Sequence, residues 1–242
     1  MKNLPGWNCV GHPPRMSTGE AHLWLAHLER PDLVPAAREI LSPIEIERGL
    51  RYRSNRDRTW FFARHFLLRT LLSLYLHQSA SSLDIQRTQH GKPFLAGHPI
   101  YFNLSDSGEW CLFAFTQLAP IGVDLENVRE QTDLMQVARR YFSNVEMAAL
   151  ERLPHEQQVE AFYHIWTQKE ALIKAIGEGL SIPLDSFDVG TDPGQPGSLR
   201  MDRGASARSW AMRTFIPKQG FKAAVCTETA AAPDFYTFQL EI

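Results

Sequence analysis

The apolar positions of the chain recur with two different periods, and each period predicts one kind of element. Over residues 57–77 and again over 155–176, apolar side chains return every three or four positions, which predicts two long, buried helices. Shorter runs rich in strand-forming residues are bounded by Gly, Pro, Ser or Asp. These runs predict strands at 21–28, 83–89, 100–105, 109–117, 121–128, 186–189, 209–216 and 221–228.

Capping signals and turn-forming residues add shorter elements. Ser42 followed by Glu45 is the pattern of a capping box, and it predicts a polar helix over 42–53. Two more helices are expected near 133–141 and from Ser143 onwards. The stretch TDPGQPGS at 191–198 is rich in Pro and Gly, and it predicts a mobile loop between two strands.

The same succession of elements occurs twice along the chain. A strand, a polar helix, a long helix and a group of strands come before residue 119, and a similar series follows it. We therefore expect an α+β fold made by tandem duplication, with two similar halves, 1–118 and 119–242, closing into a pseudo-dimer. Each half would be a small antiparallel sheet packed against a long helix. The junction of the halves is where a site is expected.

The composition narrows the class of protein without indicating an activity. The 242 residues carry 25 Lys and Arg against 27 Asp and Glu, so no overall field attracts the molecule to nucleic acid or to a membrane surface. Three scattered cysteines, Cys9, Cys111 and Cys226, predict no disulfide framework, which is typical of a reducing compartment. With no apolar leader and no uninterrupted apolar span, we expect neither a signal peptide nor a membrane span. The expected location is the cytoplasm, and the pseudo-dimer is expected to be a monomer.

Two pairs of charged residues are candidates for chemistry. Asp124 and Glu126 are two positions apart in IGVDLENV, so their side chains point to the same side of a strand. Glu170 and Lys174 fall on one stripe of the second long helix, among apolar residues. Each pair alone also fits an exposed surface position. Together, Asp124, Glu126 and Glu170 would form a Mg²⁺ site that phosphate oxygens and water complete.

Candidate phosphate contacts precede those carboxylates in the chain. Lys92 in HGKPFL, and Ser105 and Ser107 in FNLSDSG, stand in turns whose side chains and amides can bind phosphate. A series of arginines over residues 48–69 is either a solvated helix face or the rim of an anion site. Walker, dinucleotide-binding, GxSxG and zinc motifs do not occur in the sequence. These residues alone also fit a Mg²⁺-dependent phosphohydrolase.

Four ordered motifs resemble those of a known family. They are GKP at 91–93, FNLSDSG at 102–108, GVDLENV at 122–128 and FYHIWTQKEALIKAIGEGLSIPLDSFDV at 162–189. In this order and spacing they resemble the Sfp-type 4′-phosphopantetheinyl transferases, and the resemblance runs from about residue 41 to residue 228. It implies a Mg²⁺-dependent enzyme that moves phosphopantetheine from coenzyme A to a serine of an apo acyl or peptidyl carrier protein, with release of adenosine 3′,5′-bisphosphate.

The resemblance also implies a role for each candidate residue. Asp124, Glu126 and Glu170 would hold the metal on the pyrophosphate, and Glu170 would act as the base toward the carrier serine, directly or through water. Lys174 would contact the reacting phosphate. The implied coenzyme A contacts are Arg48, Arg53, Arg64, Lys92, Ser105, Asp106 and Lys174. Among these, Arg48 would lie near the 3′-phosphate of the nucleotide.

The first half would then hold coenzyme A and dock the carrier, and the second half would carry the metal ligands. The arginine-rich helices are expected to meet an acidic carrier surface. Two positions depart from the family pattern. Asp106 stands where many members have His, and Glu45 replaces a basic residue, which would either weaken nucleotide affinity or shift the nucleotide contact toward Arg48, Arg53 and Arg64. These departures motivate an alternative, a catalytically weak protein that binds coenzyme A or the carrier.

Overall fold

Six helices and twelve strands make up the described part of the chain. A computed structural model describes residues 7–130, 133–202 and 209–240. The helices are α1 (Leu33–Ile40), α2 (Pro43–Leu50), α3 (Asn55–Leu76), α4 (Leu134–Tyr141), α5 (Asn144–Glu151) and α6 (His155–Ile176). The strands are β1 (Asn8–Val10), β2 (Glu20–His27), β3 (Ile85–Arg87), β4 (Pro93–Leu95), β5 (Tyr101–Ser107), β6 (Trp110–Thr116), β7 (Ile121–Asn127), β8 (Phe187–Val189), β9 (Leu199–Asp202), β10 (Trp210–Phe215), β11 (Phe221–Glu228) and β12 (Asp234–Leu240).

The α+β class is confirmed, and the two halves follow the same plan. In the first half the strands are ordered β2-β6-β5, and in the second half β7-β11-β10. Each of these strand pairs is antiparallel. The helices repeat at a nearly constant offset, with starts at Leu33 and Leu134, at Pro43 and Asn144, and at Asn55 and His155. This correspondence supports the predicted duplication.

A buried ion pair joins two helices in the first half. Ser42 and Glu45 form the predicted capping box at the start of α2. The Glu45 carboxylate also accepts a hydrogen bond from Arg69 Nε of α3 at 2.9 Å. Arg69 Nη1 donates to the carbonyls of Ala80 and Leu83 as well, so the guanidinium ties α2, α3 and the chain after α3 together. Glu45 therefore has a structural role that the resemblance to the family does not imply.

The second half contains an equivalent buried ion pair in which a lysine replaces the arginine. Ser143 and Glu146 form a capping box at the start of α5. Lys169 Nζ of α6 lies 2.8 Å from Glu146 Oε2, and both side chains are fully buried. The ammonium also donates to the carbonyls of Leu184 and Phe187. The two halves thus stabilise their long helices through equivalent contacts.

Replacing Lys169 by Met is expected to lower the free energy of unfolding by roughly 3–5 kcal/mol, because the Glu146 carboxylate would stay buried without its counter-ion. Urea unfolding followed by circular dichroism measures the change. Arg139 is the matched control, since its pair with Glu151 is more than half exposed on both sides and Arg139→Met should cost less than about 1 kcal/mol. Equal losses for the two variants would contradict the structural role of Lys169.

Three apolar layers position the halves. One packs α3 against the first sheet, a second packs α6 and its neighbours against the second sheet, and a third lies between the sheets. In that third layer Leu23 and Leu112 of the first half meet Val123 and Val225 of the second, all fully buried. The apolar junction fixes the edge strands β5 and β7 beside one another, and the polar residues of both strands lie along this seam.

The last strand of the chain crosses between the two halves. β12 pairs parallel to both β2 and β1, and so it completes the sheet of the first half although it comes from the end of the sequence. That five-stranded sheet, β1-β12-β2-β6-β5, is therefore mixed, and the prediction of an antiparallel sheet is wrong for it. The predicted loop at 191–198 lies between β8 and β9. None of the helices among the described residues is long and apolar enough to cross a membrane.

Candidate active site at the seam between the halves

Side-chain hydrogen bonds connect β5 to β7 along the seam. Ser105 Oγ donates to Asp124 Oδ1 at 2.9 Å, and Ser107 Oγ donates to Glu126 Oε2 at 3.2 Å. Asn103 Oδ1 accepts from the backbone N–H of Val123 at 3.0 Å. Because side chains alternate along a strand, residues 103, 105 and 107 share the face that meets β7. The seam therefore gathers the polar side chains of two motifs that are separate in the sequence.

Helix α6 approaches the seam closely enough to add Lys174. A Cβ atom on Gly122 would lie 2.1 Å from the carbonyl oxygen of Ala171, so only glycine permits this contact between β7 and α6. The contact places Lys174 Nζ 2.6 Å from Asp124 Oδ1 and 2.8 Å from Ser105 Oγ. The structure thus joins the three predicted residues Ser105, Asp124 and Lys174 in one hydrogen-bonded cluster.

Negative charge outweighs positive charge at this cluster. Burial and the neighbouring Asp124 carboxylate raise the pKa of Glu126 to about 7. The same two causes raise the pKa of Glu170. Burial alone would lower the pKa of Lys174, but the hydrogen bond to Asp124 and the charges of Asp124, Glu170 and Glu126 together outweigh it and raise that pKa. Three carboxylates therefore face one ammonium, and an added cation would relieve their repulsion.

The donor set fits a hard divalent cation. Asp124 Oδ2 is buried and accepts no hydrogen bond from the described residues, so one oxygen is available as a ligand. All three predicted ligands are carboxylates, as Mg²⁺ prefers. Within the described residues no three acidic, His or Cys side chains are already gathered around one point as in a closed metal site.

A cleft of about 290 Å³ leads to the cluster. We call it the lysine cleft, and its walls include Lys92, Asn103, Leu104, Glu170, Lys174 and Gly177. Lys92 Nζ donates to the carbonyls of Ala175 at 2.8 Å and Ile121 at 3.1 Å, and burial lowers the pKa of Lys92 to about 8. In this structure Lys92 thus joins the first half to the end of α6.

A second cleft of about 230 Å³ continues from the first, because Pro93, Asn103 and Leu104 line both. We call it the arginine cleft, after the three guanidinium groups of Arg48, Arg64 and Arg87. Partial burial and the charges of Arg48 and Arg64 lower the pKa of Arg87, which shows how closely the cations are grouped. Such a group attracts anions.

The structure does not bring all predicted binding residues to these clefts. Arg53 is exposed in the turn before α3 and lines neither cleft. Arg87 lines the arginine cleft but was not among the predicted residues. Its position on β3, a few residues before the GKP motif, was the only sequence signal for it.

Asp106 and Arg64 form an ion pair in the wall of the arginine cleft. Burial would lower the pKa of Arg64, but the charge of Asp106 raises it. The Asp106 carboxylate is therefore neutralised by a guanidinium of the same cleft. Glu45 lies in that wall too, but its charge is balanced by Arg69, so neither departure from the family pattern leaves an isolated negative charge there.

Comparison with known proteins extends over both halves. The model described as 4′-phosphopantetheinyl transferase, N-terminal, matches residues 30–118, and that of the 4′-phosphopantetheinyl transferase superfamily matches residues 120–226. The transferase Sfp of Bacillus subtilis (strain 168) is 33% identical over 196 residues, covering 81% of this chain and 84% of Sfp. HetI of Nostoc sp. is 32% identical over 220 residues, covering 88% and 90%. The chain therefore belongs to the Sfp-type 4′-phosphopantetheinyl transferases.

Proposed function

We propose that this protein transfers 4′-phosphopantetheine from coenzyme A to a serine of an apo acyl or peptidyl carrier protein and releases adenosine 3′,5′-bisphosphate. The observation that carries the proposal is the cluster of Lys174, Ser105 and Asp124, which lies with Glu126 and Glu170 at the end of two connected cationic clefts. A diphosphate held there would lie between the cations and the acidic residues.

Each of the two clefts would bind a different part of coenzyme A. Arg48, Arg64 and Arg87 provide positive charge for the phosphorylated nucleotide in the arginine cleft. Lys92 and Lys174 border the lysine cleft, where the diphosphate would lie. Asp124, Glu126 and Glu170 would hold a Mg²⁺ ion, which when bound neutralises charge on the diphosphate oxygens.

The transfer step exchanges one P–O bond for another. The serine Oγ of the carrier forms a bond to the phosphorus that bears the pantetheine, the bond from that phosphorus to the bridging oxygen breaks, and the nucleotide leaves with the bridging oxygen. Glu170 accepts the serine proton, directly or through one water, and its raised pKa brings it closer to neutral pH, as suits a base. An ammonium has three N–H donors, and Lys174 uses two on Asp124 and Ser105. Its third can donate to a phosphate oxygen as charge develops.

The cellular setting is also part of the proposal. Cys9, Cys111 and Cys226 form no disulfide among the described residues, and the location we propose is the cytoplasm, a reducing compartment. A single chain supplies both halves and buries the apolar layer between them, so a monomer has a complete site.

Intact-mass analysis of apo carrier proteins tests the function. Each carrier of an acyl and peptidyl panel is incubated with the protein, coenzyme A and Mg²⁺, and a parallel sample contains a chelator. We expect a gain of one phosphopantetheinyl group that the chelator prevents. Coenzyme A binding without any gain would favour the binding protein, and phosphate release from simple esters without a carrier would favour the phosphohydrolase.

Replacing Asp106 by Asn is expected to tighten coenzyme A binding about threefold to tenfold, because it removes a negative charge that occupies Arg64 in the arginine cleft. Isothermal titration calorimetry measures the affinity. The matched control is Glu47→Gln, which removes the same charge from an exposed position on α2. Weaker binding by the Asp106 variant would mean that the carboxylate orients Arg64 for the ligand.

A further inference from the structure

The strands β5 and β7 lie side by side along the seam, although they belong to different sheets. β5 is an edge of the five-stranded sheet and β7 is an edge of the three-stranded sheet, and within the described residues no backbone ladder joins them. Side chains of β5 bind the edge of β7 instead. Asn103 Oδ1 accepts from the N–H of Val123 at 3.0 Å. Ser107 Oγ accepts from the N–H of Asn127, also at 3.0 Å, and so holds the end of β7.

The Ser107 hydroxyl also contacts the acidic cluster. Ser107 Oγ donates to Glu126 Oε2 at 3.2 Å. A hydroxyl has a single hydrogen, and an ionised carboxylate can only accept a hydrogen bond. The hydrogen of Ser107 is therefore committed to Glu126, and the oxygen is occupied by the N–H of Asn127. A phosphate oxygen is also an acceptor, so Ser107 in this position has no hydrogen to donate to a phosphate.

A tight turn fixes the position of this hydroxyl. Ser107 is the last residue of β5, and Gly108 and Glu109 form the whole connection to β6. Gly108 has a φ of +59°, which glycine adopts readily and which short hairpin turns require. Ser107 is paired in register with Trp110, and the carbonyl of Glu109 accepts from the N–H of Leu28 at 2.7 Å. The backbone that carries the hydroxyl is therefore held on both sides.

The two carboxylates of β7 are held to different degrees. Asp124 Oδ1 accepts from Lys174 Nζ at 2.6 Å and from Ser105 Oγ at 2.9 Å. Glu126 makes no ion pair with a described residue, and its side chain has one more rotatable bond than that of an aspartate. The orientation of the Glu126 carboxylate therefore depends more on the hydrogen bond from Ser107 than that of Asp124 depends on Ser105.

We propose that Ser107 is a positioning residue, which orients the Glu126 carboxylate toward the divalent cation and makes no contact of its own with coenzyme A. The proposal rests on the proposed function and specifies how one ligand of its metal is held. Hydrogen-bond partners of metal-binding side chains fix the orientation of those side chains, and their loss typically reduces metal affinity or activity about tenfold to a hundredfold. A carboxylate that is restrained before the ion arrives also loses less side-chain freedom when the ion binds.

Binding of Mn²⁺ measures this role without the transfer reaction. The full chain with saturating coenzyme A and no carrier is titrated with Mn²⁺, free Mn²⁺ is measured by electron paramagnetic resonance, and a titration of coenzyme A alone is subtracted. We expect Ser107→Ala to weaken Mn²⁺ binding about tenfold. Ser107→Thr keeps the hydroxyl and should bind Mn²⁺ as the unmodified protein does. Ser82→Ala is the matched control, because the exposed Ser82 hydroxyl donates to the carbonyl of Ser79 after α3.

The affinity for coenzyme A in the absence of metal separates positioning from a direct phosphate contact. Isothermal titration calorimetry in a chelator should give the same Kd for Ser107→Ala as for the unmodified protein, because no hydrogen bond to the ligand has been removed. In the transfer assay the variant should need about tenfold more Mg²⁺ for half-maximal activity and keep a nearly normal kcat at saturating Mg²⁺. General damage to the fold would lower kcat at every Mg²⁺ concentration.

Three results would overturn the proposal. An unchanged Mn²⁺ affinity in Ser107→Ala would show that Glu126 needs no help from this hydroxyl. A weaker affinity for coenzyme A in the chelator would make Ser107 a contact of the ligand itself. An unmodified protein that binds no Mn²⁺ in the presence of coenzyme A would leave no ion for Glu126 to meet. The proposed function is tested separately, since it fails if the unmodified protein adds no phosphopantetheine to any carrier in the mass assay.

Discussion

Replacing Glu170 by Gln is expected to reduce the rate of phosphopantetheine transfer roughly a thousandfold. The change keeps the size of the side chain but removes its ability to accept a proton, and general base catalysis contributes about 10²–10⁴ to a rate. It also removes one of three carboxylates that would hold the metal, so the concentration of Mg²⁺ needed for half-maximal activity should rise. Steady-state kinetics on an apo carrier, with Mg²⁺ varied, measure both effects.

The fold should survive the Glu170→Gln substitution. Glu170 is repelled by Asp124 and desolvated, so loss of its charge removes an unfavourable interaction and the free energy of unfolding should not fall. Glu156→Gln is the matched control on the same helix, because Glu156 is exposed in the first turn of α6. A Glu170 variant that keeps more than a tenth of the normal rate at saturating Mg²⁺ would remove this residue from the proposed chemistry.

The duplicated plan explains what the apolar pattern could predict. The two long helices were expected at 57–77 and 155–176, and they are α3 and α6. A short helix was expected at 133–141 but none at 33–40, although α1 and α4 occupy equivalent places. Pro35 obscured α1, yet proline is tolerated in the first turn of a helix, where its missing N–H has no partner to lose. Applying the repeat offset to α4 would have predicted α1.

The pairing of the strands, by contrast, could not be predicted from the sequence pattern. β12 is separated from β2 by more than the length of either repeat, and its parallel pairing depends on which edge of the first sheet remains open. No periodic pattern within β12 or β2 indicates which strand will be its partner. Because β12 covers an edge strand, it protects backbone groups that would otherwise be unpaired.

In the candidate site, too, local spacing could be predicted from the sequence and long-range contacts could not. The two-residue spacing of Asp124 and Glu126 and the helical spacing of Glu170 and Lys174 were sufficient to predict that each pair shares a face. Asp124 and Lys174 both contact Ser105 only because β5 packs beside β7, and the sequence spacing does not show that packing. The pairing of Asp106 with Arg64 likewise joins residues far apart in sequence, and motif comparison alone does not show it.

Replacing Lys174 by Met is expected to reduce the rate constant kcat roughly a hundredfold to a thousandfold. The substitution removes the ammonium that lies within hydrogen-bond distance of Asp124 and Ser105 and that would stabilise charge on the transferred phosphate. Lysine at this position also lowers the pKa values of Glu126 and Glu170, so its loss should raise both further. Since a base acts only when it is deprotonated, the rising limb of the residual pH profile should move to higher pH.

Thermal unfolding separates this electrostatic role from simple damage to the fold. Without Lys174 the three carboxylates lose their nearest cation, so the variant should unfold at a lower temperature than the unmodified protein and gain more stability from added Mg²⁺. Lys218→Met is the matched control, because Lys218 is exposed beyond β10, stacks on Trp110 and makes no ion pair with a described carboxylate. A Lys174 variant with normal kcat and the usual response to Mg²⁺ would show that the ammonium balances charge in the free protein without taking part in transfer.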